Sequence, residues 1–356
     1  RTNVVSMNVL PVIANHDHEA FEVFLYGQVE FADGVTDSFK EYADHWRSTM
    51  HKSNEEVTEM IEADEIDILI FLAGRFDENR PIIATYRPAP IQVSFHDCAT
   101  SGLEAMDYFL TDDILHPPGT KELFTEELYR LPVYYQYPIQ HWLPEIMPAP
   151  ALSNGFITFG CLNKPEKIND AVVALWADVL RAVPNSKLLL KYFNHYSEPS
   201  MRERWITRFK DHSISEDRLV FKSKIEGRYS HLELYKFIDI ALDPFPFNGA
   251  TTTFEALSMG VPVVALLGKH FVDRVAASIV THAGYPEFAV NTKKAYVELA
   301  KFLTNNVQNL NERRLTMREN LHKSKICRGP TYAKNIEATL RDMWTTWCET
   351  GSYKGK

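Results

Sequence analysis

Cysteine is scarce and scattered in this chain. The four present, Cys98, Cys161, Cys327 and Cys348, form no CxxC pair and no metal-like spacing. That argues against a disulfide framework or a zinc site and for a reducing compartment, so a cytoplasmic location is expected and no metal site is. Long apolar runs are missing as well. No stretch of about 18 apolar residues exists, so no membrane span is expected. The first residues, RTNVVSMNVL, lack the charged-then-apolar pattern of a secretion signal. They begin abruptly inside what reads as structured chain, and a further upstream segment is expected. Basic residues are in deficit: 38 Lys and Arg stand against 47 Asp and Glu, a net charge of −9. A general nucleic-acid binder carries a basic face, so no nucleic-acid partner is expected. A local basic pocket for a phosphorylated ligand stays compatible with that balance. Low-complexity segments and short-period repeats are absent.

What is present is an ordinary globular composition, 45% hydrophobic and 24% charged, over 356 residues. That length exceeds one typical core and predicts two domains. The pattern predicts a helix over 4–14, a polar break at Asn15-His16-Asp17-His18, and a strand over 21–26. The two histidines read as a solvated loop pair rather than ligands. A helix over 54–63 precedes IDILIFL at 66–72, and such continuous apolar runs are typical of parallel strands covered on both faces. A helical turn at 81–86 and strands at 91–95, 108–112 and 128–132 follow. The segment 136–154, rich in proline and without periodicity, is the best linker candidate. Beyond it strands (157–160, 187–191, 219–221, 238–242, 262–266) alternate with helices (170–181, 200–209, 230–237, from 251, from 274, from 293). The alternation predicts an α/β protein of two Rossmann-like parallel-sheet domains, 1–135 and 155–330. A last amphipathic helix at 331–350, with Trp344 and Trp347 near its end, reads as core packing or as a brace returning to the first domain.

The stretch 239–260, DIALDPFPFNGATTTFEALSMG, stands out. A strand stops at Asp243-Pro244, a loop carries Asn248-Gly249, and the threonines at 251–253 open an apolar-periodic helix. Threonines there can accept from the first free backbone N–H groups. Those N–H groups, with the helix dipole behind them, suit an anion, and Gly249 lets a phosphate approach the backbone. Glu255, one turn in, is placed for a hydroxyl pair such as a ribose. An ordinary strand–helix unit with a good cap is the competing reading.

Several phrases together carry a resemblance. They are RPAPIQVSF at 87–95, TSGLEAMDYFLTD at 100–112, FGCLNKPEKI at 159–168, VPNSKLLLK at 183–191, the stretch 239–260, DRVAAS at 273–278 and YAKNIEATLRDMWTTWC at the end. In this order they resemble the catalytic region of the O-linked N-acetylglucosamine transferase family, including its bacterial and SPINDLY-like members. The resemblance implies a GT-B glycosyltransferase architecture, two Rossmann-like domains facing a cleft, with a C-terminal helix packing back. It implies a UDP-sugar as co-substrate, no other cofactor, a protein acceptor, and inverting, metal-independent transfer to a Ser or Thr hydroxyl.

By the same resemblance, Lys167 neutralises the donor diphosphate, and Lys164 occupies the place of a family Gln or Asn that touches phosphate. Asn163 joins the donor set. His231 packs against the base, Arg228 matches a nearby Lys, Thr251 and Thr252 match a Thr pair at the phosphate-binding helix, and Glu255 matches the ribose ligand. Ala250 departs from the family's His. In the first domain the departures accumulate. Asn3 stands where the family has a histidine, Arg75 replaces the His of LAGHT, and FHDCAT at 95–100 replaces WLGYPGT. There His96 and Asp97 are candidates for a new acid/base pair, or for loop residues that satisfy one another. The family's tetratricopeptide repeats do not occur in this sequence, so they lie upstream or acceptor recognition differs. Two rival readings follow from the departures: the same fold with GDP-fucose or UDP-glucose as donor, or a non-catalytic nucleotide-sugar-binding protein.

Overall fold

Runs of buried aliphatic residues set the strands, and the computed structural model, which describes residues 3–74, 79–140, 142–223 and 231–352, arranges them in parallel sheets. Two compact units result, 1–138 with 326–356 and 139–325.

In the first unit, helix α1 (Val4–Ile13) leads to β1 (Phe24–Gly27), α2 (Gly34–Tyr42) and β2 (His45–Ser48), then α3 (Asn54–Ala63). β1 and β2 form a parallel pair with Phe24 opposite His45. Strands β3 (Ile68–Leu72), β4 (Ile91–Phe95), β5 (Tyr108–Asp112) and β6 (Glu127–Leu131) form a four-stranded parallel sheet in that order. Every residue of β4 and β5 is buried, as a strand covered on both faces requires. α1 packs on the C-terminal helix, Gly329–Thr350. That helix is tied to the chain after β6 by Tyr332, whose hydroxyl donates to the Tyr134 carbonyl at 2.6 Å, and to β6 itself by Tyr129, which donates to Asp342 at 3.0 Å.

In the second unit, a short helix α4 (Ala151–Asn154) precedes β7 (Thr158–Cys161), α5 (Asp170–Ala182), β8 (Lys187–Lys191), α6 (Pro199–Lys210) and β9 (Leu219–Lys222). β10 (Ile240–Leu242), α7 (Thr251–Ser258), β11 (Val263–Leu266), α8 (Val275–His282), β12 (Ala289–Val290), α9 (Lys293–Thr304) and α10 (Val307–Lys323) complete it. The six strands are parallel in the order β12-β11-β10-β7-β8-β9. The chain winds outward from β7 to β9, then restarts on the other side of β7 with β10. This is the Rossmann order, and its switch point lies between β7 and β10, where ligands bind outside the carboxyl ends of the strands.

Two buried charges fix β10. Asp239 accepts from Thr158 N at 2.8 Å and Ala151 N at 3.0 Å. Arg314 donates to the carbonyls of Ile238 (2.7 Å), Tyr235 (2.9 Å) and Met147 (2.7 Å). Gly260 has φ of 75°, and a Cβ there would lie 2.5 Å from the Arg314 carbonyl, so that turn requires glycine.

Several expectations shift. Residues 232–237 form a 3₁₀ turn rather than an α-helix, while the expected helical turn at 81–86 is present as 3₁₀. The first strand starts at Phe24, three residues late, and α2 and β2 had no counterpart in the sequence reading. The segment 139–154 is not featureless: it contains α4 and groups with the second unit. His16 is buried at 8% exposure, not solvated, because the Asp44 loop folds over it; His18 stays exposed. Among the described residues no helix is long and apolar enough to cross a membrane.

Candidate functional site

The exits of β7 and β10 meet because these strands are neighbours, with Ile240 opposite Phe159 and Ala241 opposite Gly160. After β7 the chain passes Asn163 and the exposed Lys164, then makes a 3₁₀ turn, Pro165–Lys167, before Asn169 caps α5. Asn169 also donates to the Phe245 carbonyl at 2.8 Å, which ties this turn to the loop after β10. In that loop the buried Asn248 donates to the Pro244 carbonyl at 2.9 Å, and the buried Asp243 accepts from Gly249 N at 2.9 Å.

Lys167 closes the arrangement. Its ammonium donates to the Asn248 carbonyl at 2.6 Å and sits 4.4 Å from the centre of the Phe247 ring. Burial pushes the lysine's pKa down, and the Asp243 carboxylate works against that. Burial likewise pushes the Asp243 carboxyl up, opposed by the Gly249 N–H and by Lys167. Across the turn, the Thr252 hydroxyl donates to Asn163 Oδ1 at 3.0 Å. Gly249 is enclosed: a Cβ on it would lie 2.2 Å from Thr252 Oγ1 and 2.9 Å from oxygens of both Asn163 and Asp243.

The expected role of the threonines needs correcting. Among the described residues no side chain caps α7. The Thr252 hydroxyl turns to Asn163, and the Thr253 hydroxyl donates back to the Gly249 carbonyl at 2.8 Å, a bond that Thr commonly makes four residues back. Ala250, at the cap position, has nothing to offer. The first-turn N–H groups at Thr251 and Thr252 are therefore left for an anion, with Lys167 beside them.

A second cluster sits at the exit of β8, next to β7. Lys191, the last residue of β8, is 5% exposed. Its ammonium is 2.8 Å from Nδ1 of His231, and His231 Nε2 is 2.9 Å from Glu255 Oε2. An ammonium can only donate, so Nδ1 accepts and Nε2 carries the proton toward Glu255. Tyr235 donates to the same carboxylate oxygen at 3.4 Å. Burial lowers the Lys191 pKa while Glu255 opposes it. Lys191, Tyr235 and Asp243 were not singled out from the sequence. A polar residue ending an apolar strand, as in KLLLK and IALD, is the signal that marks two of them. Arg228 and Arg75 lie outside the described residues.

In the first unit, His96 and Asp97 follow β4. His96 has φ of 57°, an uncommon backbone state for a residue with a side chain. Its ring lies 4.0 Å from the Phe95 ring and 5.1 Å from the Tyr134 ring. Burial pushes its pKa down to about 3, and Nε2 has no hydrogen-bond partner among the described residues. Asp97 accepts from Cys98 N at 2.7 Å. Gly74, with φ of 52°, permits the close approach of Asp97, whose Oδ2 would be 1.6 Å from a Cβ there. Asn3 caps α1, accepting from Ser6 N at 2.7 Å.

A Rossmann-ordered sheet together with a second parallel-sheet unit is the fold of the GT-B class. The chain belongs to glycosyl transferase family 41, whose profile matches residues 4–140 and 149–336. It is 35% identical over 98% of its length to SPINDLY of Petunia hybrida, described as a probable UDP-N-acetylglucosamine–peptide N-acetylglucosaminyltransferase, and spans 38% of that protein. A point mutant of the Thermobaculum terrenum O-GlcNAc transferase superposes with a TM-score of 0.90 at 34% identity, covering 99% of this chain and 67% of that one. Anabaena HepE in complex with UDP shares the fold at a TM-score of 0.55 and 13% identity, over 96% of this chain and 97% of its own.

Proposed function

We propose that the chain transfers N-acetylglucosamine from UDP-GlcNAc to a Ser or Thr hydroxyl of a protein, with inversion and without a metal or other cofactor. The observation that carries this reading is the cradle at the β7/β10 switch point, where Lys167, Gly249 and the uncapped start of α7 converge. The relative's printed name and the O-GlcNAc transferase match support the donor and acceptor classes. In the reaction, the acceptor oxygen bonds to the anomeric carbon as the bond to the β-phosphate oxygen breaks, and UDP leaves with the electron pair. Lys167 and the Thr251 and Thr252 N–H groups stabilise the charge that grows on the diphosphate, which is the dominant kind of catalytic term for such a leaving group. Lys164 adds a second cation from the same turn. Glu255 takes the ribose hydroxyls, and His231, with its ring orientation set by Lys191, takes the base. In the first unit His96, its ring held neutral by burial, and Asp97 each supply a group able to take the acceptor proton, with no hydrogen bond between the two side chains among the described residues.

Ala250 supports a second reading, in which the same cradle takes GDP-fucose or UDP-glucose, because the cap position offers the sugar only a methyl group. The deciding measurement is the melting temperature with a panel of UDP-GlcNAc, UDP-glucose, GDP-fucose, UDP and GDP, followed by transfer assays with the donor that shifts it most. A ligand at 100 times its Kd stabilises by about 2.7 kcal/mol, a readable shift. A shift by GDP-fucose alone replaces the first reading with the second. Binding without transfer or hydrolysis of any donor removes the enzymatic one.

A further inference from the structure

At the amino ends of β1 and β2 the fold gathers His16, His18 and Asp44. Their donor atoms lie within 4.8 Å of one another. His16 Nε2 is 3.3 Å from Asp44 Oδ2, and His18 Nδ1 is 2.8 Å from Asp44 Oδ1. The sequence hides this, because Asp44 is 26 residues beyond His18. Parallel pairing of β1 with β2 brings it back, and Val23 N fixes the carboxylate with a 2.8 Å bond to Oδ2.

The hydrogen bonding of His16 is the telling feature. Its Nδ1 is 2.6 Å from the Ile13 carbonyl, and a carbonyl can only accept, so Nδ1 carries a proton. In the neutral ring the Nε2 lone pair then points at a carboxylate oxygen, which is repulsive unless a cation lies between them. Either a second proton or a metal ion meets that need. Ligating histidines characteristically donate their other ring N–H to a backbone carbonyl or carboxylate, as His16 does to Ile13. The 3.3 Å separation of His16 Nε2 from Asp44 Oδ2 is close to the edge of a tetrahedron with bonds of about 2.0–2.1 Å, whereas the 2.8 Å His18–Asp44 contact is a hydrogen bond that the exposed His18 must give up to ligate.

We propose that His16, His18 and Asp44 form a divalent transition-metal site, best suited to Zn²⁺, with His16 and Asp44 as the fixed ligands and His18 closing from the exposed side. Imidazole and carboxylate donors suit zinc, and three protein ligands leave one position for water. The site clamps the loop after α1 to the start of β2 and uses none of the residues assigned to the donor.

The test uses the chain after dialysis against a chelator, titrated with Zn²⁺ in competition with a chromophoric indicator, for the wild type, His18→Ala and Asp44→Asn. Saturable binding of one Zn²⁺ per chain is expected, weakened about 10- to 100-fold in each variant. With Co²⁺ as probe, tetrahedral visible bands should appear in the wild type and be lost in both variants. His18 is 59% exposed, so His18→Ala folds even if Asp44→Asn, which disturbs the Val23 contact, does not. Absence of saturable binding at micromolar Zn²⁺, or equal affinity in the wild type and His18→Ala, overturns the proposal and leaves the three side chains as a hydrogen-bonded cluster.

Discussion

The ammonium of Lys191 sits 2.8 Å from Nδ1 of His231, and this contact decides which face of the imidazole carries its proton. With Nδ1 occupied as an acceptor, Nε2–H is committed to Glu255, and the ring stands in one orientation at the edge of the cradle. Lys191→Met should free the ring to rotate. The expected result is a rise in KM for the nucleotide sugar of roughly tenfold, the worth of one hydrogen bond to a charged group, with little change in kcat. Lys191→Arg should recover part of it. Equal falls in kcat and kcat/KM would place Lys191 in the chemistry instead of in positioning.

Lys167 should show the opposite pattern. Lys167→Ala removes the fixed cation beside the uncapped α7 start, so turnover should fall by about 10²–10³-fold, while the affinity for UDP-sugar changes much less. Steady-state transfer kinetics with a peptide acceptor make the comparison. Near-normal turnover would show that the helix N–H groups suffice alone.

Gly249 tests whether the cradle has any slack. An added methyl would overlap Thr252 Oγ1 and press on the buried Asp243 and Asn163 oxygens. Gly249→Ala should cost about 1–3 kcal/mol of stability by overpacking. It should also weaken UDP binding at least tenfold, read by calorimetry at a temperature where the variant is folded. Unchanged UDP affinity would mean that the diphosphate lies elsewhere.

Stability against pH should report Asp239. Burial raises its carboxyl to about 6 in the folded chain, above the ordinary 3.8. The folded state therefore binds the proton more tightly, so this group's contribution is fully present below about pH 4 and is lost as pH rises through 6. A shift of that size corresponds to roughly 3 kcal/mol. Compared with Asp239→Asn, which cannot titrate, the wild type should lose up to that much relative unfolding free energy between pH 4 and pH 7 in denaturant titrations. A difference that stays flat with pH would contradict the assignment.

Some of this was readable from residues alone. β4, β5 and β8 fall at the expected positions because IQVSF, YFLTD and KLLLK are apolar runs with polar boundaries, and both-face burial leaves no other use for them. The pair of α2 and β2 was not readable: HWRS is half-buried in a two-stranded edge and carries no apolar alternation. In the cradle, Gly249, Asn163 and Lys167 stood out through their motifs, but the threonine geometry did not. A hydroxyl at a helix start chooses among an N–H, a carbonyl four residues back and a neighbour such as Asn163, and only tertiary structure settles that choice. Lys191 escaped because its partner, His231, is 40 residues away along the chain.

The adjacency of β7 and β10 also sets a time order. The cradle's two halves, around Asn163 and around Gly249, are more than 80 residues apart in sequence and become one surface only when β10 docks beside β7. A chain emerging from the ribosome would thus have no diphosphate site until α7 had left the exit tunnel, although β7, β8 and β9 could already have paired. Arrested chains ending before residue 240 should fail to bind UDP, and chains carried well beyond α7 should gain it in a single step.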